Sequence, residues 1–426
     1  MNKNTLILSF IISSRFFGLF IVLPVISLYS NELIGSNSVL IGLIVGIYAI
    51  FQMIFSVPFG AMSDKIGRKK TMFLGLIIFI IGCFICANAT HIYTMLVGRS
   101  LQGIGAIGGV ATAMIADLTS EKDRAKAMAI MGASIGMSFV VAIIFGSVIS
   151  SFFGLGALFY ISAFLSVLCI VLLGILPKEK NIQKLEKIPF KEAFLSSNLN
   201  KLYLTCFLQK LLSSSAFMII PLSFVNIFNK SKDDLWIVYS VAMVFGFLAM
   251  GFGGVVGESK GKSKFILLLG VILFCLSYLV FISENYYLFL LAVILYFIAF
   301  CLLEPIMQSS ISKICKARQK GLALSFANSC GYFGSFMGAV LCGIFMHANL
   351  HDEFLIMIAV VCVLWFIILR TIDNPNDFKV IKVSKSCDLN ILKNNIYVID
   401  ISEKNGEIFV KYNSKKISDK ELLNLQ

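Results

Sequence analysis

Long apolar stretches recur along the whole chain, and their length limits what it can fold into. A helix needs about 20 apolar residues to cross the hydrocarbon core of a bilayer. Only 14% of the residues are charged, whereas soluble domains carry roughly a quarter. We therefore expect an integral membrane protein rather than a soluble enzyme. Twelve spans are predicted, near residues 5–30, 37–62, 71–89, 93–117, 125–150, 155–177, 200–225, 235–257, 264–283, 286–312, 320–346 and 353–371.

Lys and Arg are distributed unevenly between the loops that join these spans. Twenty of them fall in the loops that follow the even-numbered spans, while the opposite loops contain Lys230 and Lys232 alone. Because positive residues stay on the cytoplasmic side, both termini are predicted to be cytoplasmic. We therefore interpret the net charge of +13 as a consequence of the many positive residues in the cytoplasmic loops. A lipid bilayer, and no nucleic acid, is the expected partner.

One charged loop is present twice. Residues 60–70, GAMSDKIGRKK, join spans 2 and 3, and residues 254–264, GVVGESKGKSK, join spans 8 and 9. The six-helix spacing predicts two six-helix halves, an arrangement typical of secondary transporters. With a constant offset of 194 residues, the aligned pairs are Gly60 and Gly254, Asp64 and Glu258, Gly67 and Gly261, and Arg68 and Lys262.

The first loop resembles a known family motif. It matches G-x-x-x-D-[KR]-x-G-[RK]-[KR]-[KR], the loop 2–3 motif of the major facilitator superfamily, at every specified position. Arg99 and Gln102 lie in RSLQGIG, which is similar to the R-x-x-Q-G-x-G of its drug:proton antiporters. The chain looks most like the YajR-type and drug:proton antiporter group. Two departures are Arg15, where antiporters often carry an acid, and Ser147, where proline is usual.

This resemblance implies a fold, a domain division and a location. The implied fold is an all-α membrane protein with twelve transmembrane helices in two six-helix pseudo-repeats, followed by a small α+β tail. The implied location is the bacterial inner membrane. The predicted units are a first half at 1–177, a linker at 178–198, a second half at 199–372 and a cytoplasmic tail at 377–426.

The first charged loop is also a candidate gate. Gly60 permits close helix approach and Gly67 a tight turn. Arg68 lies four residues after Asp64, and Asp117 ends span 4 at the same membrane face. The resemblance implies that this cluster locks the cytoplasmic gate between the halves when the cavity faces outward. The alternative is that the loop serves membrane topology and a tight turn alone.

Four ionisable residues lie well within the spans: Arg15, Arg99, Lys210 and Glu304. A mid-membrane charge is costly and needs a partner or an aqueous cavity. They occupy spans 1, 4, 7 and 10, which in the resembled fold line the central cavity. By depth, Lys210 and Glu304 are predicted to meet. Glu304 is the leading proton site by elimination, because arginine does not titrate; the alternative is a structural ion pair. Two further polar residues of this predicted site are Gln102 and Gln308.

The tail after Pro375 differs in composition from the spans. FKVIKV, IYVIDI and EIFVKY are predicted strands, and KNG at 404–406 is a predicted hairpin turn. Ser418 begins a capping box before a short helix. The predicted β-α-β-β-α order resembles a ferredoxin-like domain without its fourth strand.

These observations together predict a monomeric secondary transporter. Its expected function is alternating-access transport of a small molecule, with proton-coupled efflux of a drug or metabolite as the first hypothesis. Transport of an organic anion is the second, because the embedded charges sum to +2. A non-transporting receptor or scaffold is the rival from another class. The protein is not expected to be an enzyme, and neither a cofactor nor a metal is expected.

Overall fold

The computed structural model describes residues 3–119, 121–177, 196–316, 319–383, 398–404 and 407–417. We refer to residues 3–177 as the first half and to residues 196–372 as the second half. The helices of the first half are α1 (Lys3–Phe20), α2 (Ile26–Ser30), α3 (Ser38–Ile66), α4 (Arg68–Ala87), α5 (Ile92–Ile104), α6 (Gly108–Leu118) and α7 (Glu121–Ile175).

The second half continues with long apolar helices and ends before a small sheet. Its short irregular helices are the 3-10 turn Lys232–Asp234 and the π-helical segment Gly254–Ser259. Its α-helices are α8 (Ser197–Asn226), α9 (Leu235–Gly253), α10 (Ser263–Val280), α11 (Tyr286–Ile314), α12 (Lys320–His347) and α13 (His351–Arg370).

Within the described residues, ten helices are long and apolar enough to cross a membrane. One of them, Ile130–Ile175 within α7, has 46 residues. At 1.5 Å per residue it is about 69 Å long, roughly twice the hydrocarbon thickness. Gly154 interrupts it with φ of 74°, a backbone conformation that favours glycine, between the predicted fifth and sixth spans. The total of twelve spans remains a prediction.

Two predicted spans are not continuous helices. In span 1 the helix ends at Phe20 and restarts at Ile26, with Pro24 in the intervening turn. The predicted span 4 corresponds to the apolar segment Ile92–Leu118, within which α5 ends at Ile104 and α6 begins at Gly108. At this break a Cβ on Gly105 would lie 2.5 Å from the Gly75 carbonyl oxygen, so the two backbones touch.

The halves approach each other at one end of the molecule. We call the end that carries residues 60–70 and 254–264 the loop end, and the opposite end the far end. At the far end, a Cβ on Gly42 of α3 would lie 2.4 Å from the carbonyl oxygen of Ala339 on α12. A Cβ on Gly343 would lie 2.5 Å from that of Ser38. Only glycine allows this backbone contact between the halves.

Hydrogen bonds between the halves have the same distribution. Four of them join the far end and the middle of the bundle. Together with the glycine contacts, these bonds show that the halves pack closely at the far end, whereas a Cβ on Gly60 or Gly254 at the loop end would meet no atom within 4 Å. Four such bonds join described residues: Ser27 Oγ to Phe217 O (3.1 Å), Tyr239 OH to Pro24 O (3.2 Å), Lys232 Nζ to Glu32 Oε1 (2.7 Å) and Gln52 Nε2 to Tyr332 OH (2.7 Å).

The tail contains an antiparallel sheet of three described strands. They are β1 (Phe378–Val383), β2 (Val398–Lys404) and β3 (Glu407–Asn413), in the order β1-β3-β2. Lys404 pairs with Glu407, which confirms the predicted hairpin between them. A central strand antiparallel to both neighbours matches the split βαβ arrangement. The ferredoxin-like assignment stays a prediction, because its expected helices, at 384–397 and 418–426, lie outside the described residues, as does most of the predicted linker.

The sheet is attached to the second half. Lys411 of β3 donates a hydrogen bond from Nζ to the carbonyl oxygen of Cys315, at 2.6 Å, just after α11. Burial at this contact lowers the pKa of the Lys411 ammonium. Ser414 donates from its backbone N and from Oγ to the carbonyl oxygen of Asp377, at 2.8 and 2.9 Å.

Candidate functional site

The predicted gate residues of the first half form one cluster. Arg68 Nε donates to Asp117 Oδ2 at 3.1 Å, and Arg68 Nη1 donates to Asp64 Oδ1 and Ser63 Oγ. Two adjacent helix ends bring these groups together, because Asp64 lies in the last turn of α3 and Arg68 begins α4. The Arg68 side chain is buried, while that of Asp64 is 59% exposed. All four residues belong to the first half, so these hydrogen bonds lie within it.

The four aligned glycines of the two charged loops fall into two groups. Gly67 and Gly261 have φ of 99° and 69°, which confirms the predicted tight turn at Gly67 and extends it to the second loop. Gly60 and Gly254 differ, because a Cβ on either would meet no atom within 4 Å. The predicted close helix approach at Gly60 is therefore wrong for this structure, since the loop end is open.

The second charged loop has a different ion pair from the one that the sequence alignment indicates. Glu258 Oε2 accepts a hydrogen bond from Lys313 Nζ on α11, not from Lys262. Glu258 is the counterpart of Asp64, and its partner Lys313 lies at the end of span 10, where the end of span 4 has the acid Asp117. Sequence reasoning missed Lys313, although it lies near the end of span 10 as Asp117 lies at the end of span 4.

The segment after α13 holds this second loop. Asn376 Nδ2 donates to the carbonyl oxygen of Gly257 at 2.9 Å and to Ser263 Oγ at 2.7 Å, and its Oδ1 accepts from Lys313. Asn374 Nδ2 donates to the carbonyl oxygen of Gly261 at 2.9 Å. The root of the tail and the second charged loop thus form one hydrogen-bonded unit.

The two arginines within the spans are enclosed in the first half. Arg15 is 1% exposed and Arg99 is 0% exposed. Arg99 Nη1 donates to Gln102 Oε1 at 2.7 Å, and its guanidinium carbon lies 4.5 Å from the ring centroid of Tyr48. Gln102 is likewise buried. The structure corrects the placement of these three residues, because none of them faces an open cavity here.

Lys210 and Glu304 meet as their depths predicted. Lys210 Nζ lies 2.9 Å from Glu304 Oε2, and Gln209 Nε2 donates to the same oxygen at 2.9 Å. The side chains of Lys210 and Glu304 are 32% and 35% exposed, so protein atoms do not enclose the pair. Lys210 Nζ also lies 4.9 Å from the ring centroid of Phe300.

Gln308 lies one helical turn beyond Glu304 on α11, toward the loop end. Its Nε2 donates to Asn328 Oδ1 of α12 at 3.3 Å. Of the predicted cavity residues, Lys210, Glu304 and Gln308 are therefore the accessible ones. Among the described residues, no group of three His, Cys, Asp or Glu side chains is arranged to hold a metal ion.

Comparison with known proteins gives consistent matches. The sequence model described as Major Facilitator Superfamily matches residues 8–253 and 202–396. The inner membrane transport protein YajR of Escherichia coli is 33% identical over 341 residues, 78% of this chain and 75% of that protein. The class B tetracycline resistance protein of Escherichia coli is 27% identical over 370 residues, with coverage of 80% and 89%. The solved structure of a D-xylose-proton symporter is similar in fold, with a TM-score of 0.70, 14% identity and coverage of 87% and 98%.

Proposed function

We propose a transport function from one premise: the chain belongs to the Major Facilitator Superfamily. Its proposed task is to move a small molecule across the inner membrane by alternating access, in which a central site opens first to one side and then to the other. The proposed driving force is the proton gradient, and the proposed direction is export. The protein is proposed to act as a monomer.

The pair of Lys210 and Glu304 carries this proposal. A carboxylate binds and releases a proton, whereas a guanidinium does not. Among the described residues within the spans, Glu304 is the carboxylate that lies away from the charged loops, and protein atoms do not enclose it. A proton on Glu304 leaves Lys210 without its counter-ion. Protonation therefore changes the charge that a substrate meets beside this pair.

The same pair favours a substrate without a strong negative charge. Lys210 and Glu304 neutralise each other at 2.9 Å. Arg15 and Arg99 are buried and do not reach a substrate from the open end. An organic-anion transporter needs a free cation there, and Lys210, the accessible cation within the described spans, is already paired. This arrangement supports a neutral or zwitterionic substrate over an organic anion.

Export rests on the similarity to the class B tetracycline resistance protein. The corresponding proposal for the gate is that the Arg68 cluster meets the second half when the loop end closes. The exposed carboxylate of Asp64 supports this, because it remains available for a partner across the halves. The open space beside Gly60 and Gly254 leaves room for the approach.

A transport assay tests the proposal. The full chain is reconstituted in liposomes and assayed for accumulation of tetracycline, D-xylose and a panel of neutral and anionic metabolites, with and without an imposed pH gradient. We expect at least one neutral or zwitterionic compound to accumulate only with the gradient. Accumulation of anions alone would reverse the order of the two hypotheses. Absence of any gradient-dependent accumulation would contradict proton coupling.

A further inference from the structure

Arg15 is a buried cation whose described partners are all neutral. Its Nη2 donates to the carbonyl oxygens of Gln102 and Gly105, at 3.1 and 2.9 Å. These carbonyls belong to the end of α5, where span 4 breaks before α6. The last carbonyls of a helix lack partners within it and carry partial negative charge. Arg15 therefore caps a broken helix, and the helix end takes the place of a carboxylate.

The same guanidinium also fixes the amide of Gln52. Arg15 Nη1 donates to Gln52 Oε1 at 3.2 Å, and Gln52 is 2% exposed. A guanidinium has donors and no acceptor, so it must face the amide oxygen. The amide nitrogen is thereby directed away from Arg15. It donates to the hydroxyl of Tyr332 at 2.7 Å.

This last bond crosses between the halves. Gln52 lies on α3 and Tyr332 on α12, the two helices whose backbones touch at the far end. Gln52 is 14 residues beyond the start of α3 at Ser38, about 21 Å along the helix. Of the four bonds between the halves, it is the one that lies in the middle of the bundle. When the far end opens, α3 and α12 must separate at this point and the bond must break.

We propose that Arg15 is a positioning residue: it holds Gln52 as the donor to Tyr332 and so favours the conformation in which the far end is closed. The inference rests on the alternating access proposed above. It does not require Arg15 to contact substrate. It also explains how a cation at mid-membrane depth is retained without a carboxylate, since helix carbonyls and the Gln52 amide accept its hydrogen bonds.

Hydrogen–deuterium exchange of the purified full chain tests this without a substrate. Peptides that cover 38–46 and 337–347 report on the far end, and peptides that cover 60–70 report on the loop end. Tyr332→Phe removes the bond between the halves, and exchange at the far end should rise about fivefold, the equilibrium effect of losing one neutral hydrogen bond. Tyr278→Phe is the matched control, because its hydroxyl bonds within the second half, to the Leu212 carbonyl oxygen, and should leave the far end unchanged.

Two charge variants test the part played by Arg15. Arg15→Gln should raise far-end exchange by about twofold to fivefold. If that variant does not fold, Arg15→Lys should also raise exchange, because an ammonium cannot bond Gln52 and the two carbonyl oxygens as the guanidinium does. Gln52→Glu should retain wild-type protection, since its carboxylate pairs with Arg15 and accepts from Tyr332. Adding Arg15→Gln to Gln52→Glu should then remove that protection, because the buried carboxylate loses its counter-ion.

Specific outcomes would overturn the inference. If Tyr332→Phe exchanges at the far end like Tyr278→Phe, the bond does not hold the halves together. If Tyr332→Phe raises exchange but Arg15→Gln or Arg15→Lys leaves it at the wild-type level, Arg15 does not position Gln52. Both outcomes are independent of the transport assay, so a failure here is distinguishable from a failure of the proposed function.

Discussion

Glu304→Gln removes one negative charge while keeping the size of the side chain, and its effect on stability should be small. Lys210 loses an ion pair of 2.9 Å, while the new amide oxygen still accepts from Gln209. Hydrogen bonds to charged groups contribute about 1.5–3 kcal/mol to stability. Screening reduces the contribution of this pair to roughly 1 kcal/mol or less, because a third of each side chain is exposed. The variant should therefore insert and fold like the wild type.

Its effect on coupled transport should be large. One proton moved per substrate supplies about 1.36 kcal/mol per unit of pH difference, which supports roughly tenfold accumulation at equilibrium. Glutamine takes up no proton in this range. Accumulation under a gradient of one pH unit should therefore fall from about tenfold to none, whereas exchange of substrate down its own gradient should continue.

The assay is accumulation and exchange in liposomes, with the compound that the panel identifies. Glu284→Gln is the control, because it makes the same change at an exposed carboxylate in the loop before α11, outside the predicted cavity. The reasoning is refuted if Glu304→Gln accumulates substrate to the wild-type level under the gradient. Glu304 would then be a structural partner of Lys210, and proton coupling would need another site.

Three further predictions follow from the loop end and the tail. Asp64→Asn should reduce transport strongly with near-normal insertion, because it removes a 59% exposed gate carboxylate rather than a core contact; normal transport would refute the gating role. Lys313→Ala should increase tryptic cleavage at 257–263 about fivefold, because the second charged loop loses roughly 1 kcal/mol of stabilisation against local opening. Lys316→Ala is the control. Truncation after residue 376 retains Asn376 and should leave an inserted, folded protein. Membrane fractionation and size-exclusion chromatography measure this outcome. Degradation of the truncated protein would show that the fold needs the tail.

Features set by depth and local spacing were predictable from the sequence. Lys210 and Glu304 met as expected, because two helices in a membrane share one depth scale at 1.5 Å per residue. Arg68 reached Asp64 because the tight turn at Gly67 sets the start of α4 beside the last turn of α3. The hairpin at 404–407 followed from its turn residues. In each case the geometry depends on one or two elements whose course the membrane or the turn already fixes.

The sequence did not allow us to predict features that depend on which way a helix faces or where it is interrupted. Arg15 was placed in the cavity because a charge in a span needs a polar partner, and the sequence does not show that the end of α5 supplies one. The break at Gly105 depends on contact with α4, a tertiary effect. Lys313 was counted as a topology signal, because positive-inside counting does not distinguish a free lysine from a paired one. No sequence pattern indicated that Asn376 would bond to the second charged loop.

The two halves share an ancestral pattern but use their charges differently. In the first half, Arg15 and Arg99 are sealed among carbonyls, amides and rings, and a guanidinium keeps its charge. In the second half, Lys210 and Glu304 form a partly exposed ion pair, and Glu304 is the proposed proton site. A carrier that couples protons needs one part that changes charge and another that keeps its packing while the first changes. The structure meets that requirement if the second half carries the proton site and the first half, through Arg15 and Gln52, holds the bond to Tyr332 until the far end opens.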